Sequence, residues 1–112
     1  MLRNTAGDRG IKLQYNVAEL PYFTLWKNTD TEKQGYVTGL EPGTGYAYNR
    51  SIERNFGRVP KLPAGASRSF TLDYTVLPTT TDVAAVTREV SAIQGDRKTE
   101  VISQPQVPGD KH

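Results

Sequence analysis

The sequence predicts a mainly β fold, an antiparallel sandwich with one C-terminal amphipathic helix. Three observations carry this prediction. Strand-like runs recur at short spacing between residues 11 and 77, punctuated by glycine and proline. The clearest run, residues 67–77, sets Phe70, Leu72, Tyr74 and Val76 against Ser69, Thr71, Asp73 and Thr75, the alternation of a strand with one apolar face. Beyond Pro78 the period changes: Val83, Val86, Val90 and Ile93 are spaced as on one face of a helix.

Taken in order, residues 1–9 are polar and expected to be loose. Ile11-Lys12-Leu13-Gln14-Tyr15 alternates like a half-buried strand, and Tyr22-Phe23-Thr24-Leu25-Trp26 is aromatic and β-branched, again strand-like. Residues 27–34 contain no apolar side chain and, closed by Gly35, read as a long hairpin loop. Tyr36-Val37-Thr38-Gly39-Leu40 is the next strand. Pairing is expected to stop at Pro42, which has no N–H. Residues 42–55 read as irregular, residues 57–62 as a short edge strand, and Pro63-Ala64-Gly65 as a turn. A helix is expected over residues 83–94, capped by Asp82 after the threonines 79–81 and ended by Gly95. Residues 99–103 are expected to add a last short strand, with a loose tail from Gln104. The expected organisation is a single domain over 1–112, with its β part at 10–77 and its helix within 82–95. A chain of 112 residues has room for one modest core.

Composition narrows the functional classes. A hydrophobic fraction of 36% and a charged fraction of 23% are ordinary for a folded domain, so wholesale disorder is not expected. No apolar run approaches the roughly 20 residues that a membrane span needs, and residues 1–5 lack the apolar stretch of a signal peptide. With no cysteine, disulfides and thiolate metal sites are excluded, and a cytoplasmic location is expected. A net charge of +2 is too small for a general nucleic-acid footprint. The charge is uneven, however. Between Arg50 and Arg68 stand five cations, Arg50, Arg54, Arg58, Lys61 and Arg68, against one anion, Glu53. Such a segment either favours an anionic ligand, such as a sugar phosphate or sugar acid, or forms a solvated rim.

The chemistry-bearing stretch is Gly39-Leu40-Glu41-Pro42-Gly43-Thr44-Gly45. Alternation puts Gly39 and Glu41 on one strand face, so the glycine clears space beside the carboxylate. Gly43 and Gly45 allow positive φ and let a ligand approach the backbone closely. The same pattern also fits a plain edge glutamate before a turn. No Gly-rich phosphate loop, Ser-His-Asp arrangement or metal-ligand spacing is present, and no cofactor or metal is expected.

The flanks shift the balance between these readings. Leu20-Pro21-Tyr22-Phe23-Thr24-Leu25-Trp26-Lys27-Asn28 precedes the stretch, and Tyr46-Ala47-Tyr48-Asn49-Arg50-Ser51-Ile52-Glu53-Arg54 follows it. Together with Gly57-Arg58-Val59-Pro60-Lys61-Leu62-Pro63-Ala64-Gly65 and residues 69–76, this string resembles the C-terminal part of the aldose 1-epimerases, the galactose mutarotase-like enzymes, and in particular their poorly characterised bacterial branch. The resemblance runs from about Gly10 to Leu77. It implies part of a galactose mutarotase-like supersandwich, a sugar or sugar-derivative ligand, and, in the complete fold, interconversion of sugar anomers by acid–base ring opening.

By the same resemblance Glu41 is the base, since a carboxylate is ionised at neutral pH and can take the anomeric hydroxyl proton. The family's acid is a histidine upstream of anything matched here, whereas this chain's one histidine is His112, at its end. The chain is therefore expected to be the C-terminal portion of a longer fold, weakly active or inactive alone. The alternative is a non-catalytic carbohydrate-binding or protein-interaction module. Trp26, Tyr46 and Tyr48 are candidates to stack on a pyranose, or else pack in the core or rim. Asn49 and Arg50 are candidates to bond sugar hydroxyls or an anionic substituent, or else to brace the loop. Glu53 and Arg54 are expected to pair with each other or with neighbours. Unpaired strands imply a homodimer or pairing with a missing N-terminal part, with Trp26, Phe23 or residues 69–76 near the contact.

Overall fold

The computed structural model describes residues 1–104, and these form two compact units. The first comprises Met1–Gln14 with residues 72–104, the second Tyr15–Thr71. The mainly β class with a C-terminal helix is as the sequence predicts.

The first unit is built on a three-stranded sheet of order β1-β2-β5, where β1 is Leu2–Arg3, β2 Gly10–Tyr15 and β5 Leu72–Leu77. Residues 1–9 were expected to be loose. Instead β1 pairs antiparallel with β2, with Leu2 opposite Ile11. The cause is local: the Asn4 side-chain oxygen accepts from the backbone N–H groups of Gly7, Asp8 and Arg9 at 3.0, 3.2 and 3.2 Å, an Asx-type turn that closes the hairpin.

The long helix, which we call α2, spans Thr80–Gln94 and starts earlier than predicted. Thr79, rather than Asp82, is its N-cap: the Thr79 hydroxyl oxygen accepts from the Asp82 N–H at 3.2 Å, and the Asp82 carboxylate accepts from that hydroxyl. Gly95 ends the helix as predicted. Only the N-terminal half of its apolar stripe is covered. Val83 and Val86 pack with Leu77 of β5 at 1%, 7% and 3% exposure, while Val90 and Ile93 are exposed. The apolar face of β5 is likewise open, with Val76 at 73% exposure, so this unit's core is the Leu77–Val83–Val86 cluster. The strand predicted at 99–103 does not form.

The second unit carries a two-stranded antiparallel ribbon, β3 (Tyr22–Lys27) with β4 (Thr38–Gly43). Its loop holds the short 3₁₀ turn Glu32–Gln34, and Asn28 ties the loop's ends by donating from its backbone N–H to the Val37 carbonyl at 3.1 Å. Pairing does not stop at Pro42, which lies opposite Phe23, with Gly43 opposite Tyr22. In a two-stranded ribbon every strand is an edge, and a proline nitrogen is tolerated where it faces away from the partner.

A short helix absent from the sequence reading, α1 (Arg50–Asn55), follows. Asn49 caps it, its Oδ1 accepting from the Ser51 N–H at 2.9 Å. Gly57, at φ 68°, reverses the chain, and the N–H groups of Gly57 and Arg58 return to the carbonyls of Arg54 and Glu53 at 3.0 and 2.9 Å. This turn replaces the strand predicted at 57–62. The strand predicted from residue 67 begins only at Leu72, because Arg68 turns aside to donate to the Glu19 carbonyl at 3.2 Å and lies over the Phe70 ring at 5.0 Å. Among the described residues no helix is long and apolar enough to cross a membrane.

Candidate functional site

The β3–β4 register assigns the faces of the ribbon. Trp26 is opposite Gly39, Thr24 opposite Glu41 and Tyr22 opposite Gly43, so these six positions share one face. Gly39 has the role its sequence position suggests. A Cβ there would overlap Oε1 of Glu41 and stand 3.3 Å from the Trp26 Cβ. The Glu41 carboxylate thus lies over Gly39 and beside Trp26. Both side chains face solvent, Trp26 at 50% exposure.

Neither Gly43 nor Gly45 uses the positive φ open to it. Gly43 is a paired strand residue. Gly45 permits a close approach by the protein itself: a Cβ there would be 2.9 Å from Glu53 Oε2 and 3.3 Å from the Arg58 carbonyl oxygen.

Aromatic contacts extend this face. The Tyr22 ring meets Tyr46 at 4.5 Å between centroids, and Tyr46 meets Tyr48 edge-on at 6.1 Å. Beneath them lies a feature the sequence reading left open, an ion pair between Glu53 and Arg58. Glu53 is 5% exposed. Its Oε1 accepts from Arg58 Nη2 at 2.6 Å, and its Oε2 from Arg58 Nε at 2.9 Å and from the Tyr46 N–H at 3.2 Å. Glu53 therefore pairs with Arg58 and not with its neighbour Arg54. The hydrogen bonds from Arg58 hold the Glu53 carboxyl below its ordinary value of 4.5, with further lowering from the Tyr46 N–H and from the charge on Arg50. Glu53 in turn raises the Arg58 guanidinium above its ordinary value. The guanidinium also lies over Phe56 at 4.0 Å and Tyr46 at 4.9 Å.

This pair floors a cleft of about 240 Å³ whose walls include Thr44, Tyr46, Tyr48 and Arg50. Of the predicted site residues, Tyr46, Tyr48 and Arg50 meet here. Trp26 and Glu41 belong to the ribbon face, joined to the cleft through the Tyr22–Tyr46 contact. Asn49 serves as the α1 cap, which occupies its side-chain oxygen. The sequence signal for the ion pair was the bracketing of a short helix by Asn49 and Gly57, which brings residues 53 and 58 together. No cluster of three or more metal-ligating side chains occurs among the described residues, and His112 lies outside them.

Residues 1–76 match the family model described as "Domain of unknown function (DUF4432)". The crystal structure of a putative aldose 1-epimerase from Klebsiella pneumoniae subsp. pneumoniae MGH 78578 is 50% identical, with a TM-score of 0.80, over 97% of this chain and 28% of that chain. This chain thus spans under a third of the length of the structure it matches. No match was found among curated proteins. The family match establishes that the chain belongs to the DUF4432 family, and the structural match that it has part of the aldose 1-epimerase-like fold implied by the string around Glu41.

Proposed function

We propose that the chain binds a sugar or sugar derivative on the Trp26–Glu41 face, with Glu41 as the proton-accepting carboxylate of an aldose 1-epimerase-like site. The observation that carries this reading is the placement of the Glu41 carboxylate over Gly39, beside the exposed Trp26. A pyranose offers an apolar C–H face to an indole and hydroxyl groups to a carboxylate, and this surface presents both partners together. The similarity to a putative aldose 1-epimerase supports the same ligand class.

In the proposed chemistry Glu41 accepts the proton of the anomeric hydroxyl. The bond between the anomeric carbon and the ring oxygen breaks as that oxygen takes a proton from an acid. The carbonyl carbon then rotates about its bond, and closure on the other face returns both protons. Glu41 supplies the base. The acid is not assigned: the chain has one histidine, and it is His112. A second reading, a carbohydrate-binding module without catalysis, rests on that same observation.

Polarimetry on freshly dissolved α-glucose and α-galactose separates the two. A general acid or base contributes about 10² to 10⁴-fold, so the chain alone is expected to be weak, with any acceleration lost in Glu41→Gln. Binding without acceleration selects the second reading. An acceleration that survives in Glu41→Gln contradicts the assignment of the base.

A further inference from the structure

Resting on the proposed sugar site, we infer that Arg50 forms an anion subsite at the Tyr46–Tyr48 cleft, so that the ligand is a negatively charged sugar, such as a hexose phosphate or a sugar acid. Two cations of the basic segment 50–68 are engaged within the protein. Arg58 is neutralised by Glu53, and Arg68 is committed to the Glu19 carbonyl and the Phe70 ring. Both Glu53 oxygens are likewise engaged, by Arg58 and by the Tyr46 N–H. Within the cleft the Glu53–Arg58 pair sums to zero, and Arg50 is left as the uncompensated charge, with no ion-pair partner among the described residues. A polar cleft carrying one unspent guanidinium, walled by two tyrosines, suits a phosphate or carboxylate group.

The ribbon face leads into the cleft. Gly43 is two strand residues beyond Glu41, roughly 6.6–6.8 Å along the ribbon, and the opposing Tyr22 touches Tyr46 at the cleft.

Calorimetric titration of the full chain with glucose, glucose 6-phosphate and inorganic phosphate, at low and high salt, tests this. The expected result is a preference for glucose 6-phosphate over glucose of about tenfold or more, the effect of a hydrogen bond between charged groups. That preference shrinks with salt and disappears in Arg50→Gln, with partial recovery in Arg50→Lys. Circular dichroism verifies that the exposed Arg50 variants remain folded. Equal affinity for the two sugars, or a preference that persists in Arg50→Gln, overturns the subsite and leaves the sugar site standing. Inorganic phosphate binding as tightly as glucose 6-phosphate overturns a subsite tied to the sugar. Binding of neither sugar overturns the underlying reading as well.

Discussion

Glu53 and Arg58 meet twice, once through the backbone and once through their side chains. The Arg58 N–H closes the end of α1 on the Glu53 carbonyl at 2.9 Å, and its guanidinium takes the Glu53 carboxylate through two bonds of 2.6 and 2.9 Å. In the usual helix-ending turn of this type an apolar contact accompanies the backbone bond. Here a charge-assisted pair takes that place, and it also holds the Tyr46 N–H.

This arrangement predicts an acid-sensitive second unit. The folded Glu53 carboxyl titrates below its ordinary 4.5, so its stabilisation is complete above that pH and is lost as pH falls through the lower folded value. Arg58 is raised above its already high ordinary value and contributes no pH dependence in the acid range. Thermal midpoints measured down the acid range are expected to fall below pH 4.5, with the share due to this group absent in Glu53→Gln. An identical acid profile in that variant contradicts the assignment.

The pair also depends on geometry. Arg58→Lys retains the charge but cannot make two parallel N–H bonds to one carboxylate. It is expected to destabilise the second unit more than Arg54→Lys, whose guanidinium does not pair with Glu53, and to alter the environment of Tyr46. Thermal melts and near-ultraviolet dichroism provide the comparison. Equal effects at the two positions contradict it.

In the first unit, Val83→Ala is expected to cost about 1–3 kcal/mol, because it removes buried methyl groups from a three-residue core. Ile93→Ala, on the same stripe but exposed, is expected to stay within about 0.5 kcal/mol of the parent. Thr79→Ala removes the α2 cap and is expected to cost about 1 kcal/mol. Urea denaturation checks all three.

These cases show which parts of the fold were legible in the sequence. The ribbon was, because Tyr22 to Trp26 is aromatic and β-branched, Tyr36 to Leu40 reads as a second strand, and the polar loop between them suits a hairpin. Its extension through Pro42 was not, since whether a proline nitrogen faces a partner depends on the number of strands in the sheet. Periodicity located α2, but its start depended on the Thr79 hydroxyl reaching the Asp82 N–H, a choice among four adjacent cap-forming side chains. The short α1 has too few residues to show a period. Its only marks were Asn49 and Gly57. In the site, the opening at Gly39 beside Glu41 followed from alternation alone. The Glu53–Arg58 pair depended on the reversal at Gly57, which brings together residues at no regular helical spacing.

Gly39→Ala isolates the geometry of the proposed base. The added Cβ overlaps the end of the Glu41 side chain, which must turn away, while the backbone at Gly39 lies outside the left-handed region. The variant is expected to fold and to lose sugar affinity by about tenfold, comparable to losing a hydrogen bond to a charged group. Unchanged affinity contradicts a role for Glu41 in its observed position.

Trp26 is the chain's one tryptophan and stands on the same face as Glu41, so its fluorescence reads the proposed site without a label. Titration with glucose, galactose and their 6-phosphates is expected to change Trp26 emission saturably, with an affinity weakened about tenfold or more in Glu41→Gln. Emission unchanged by every one of these sugars, or an affinity unaffected by Glu41→Gln, contradicts a sugar site built on Trp26 and Glu41.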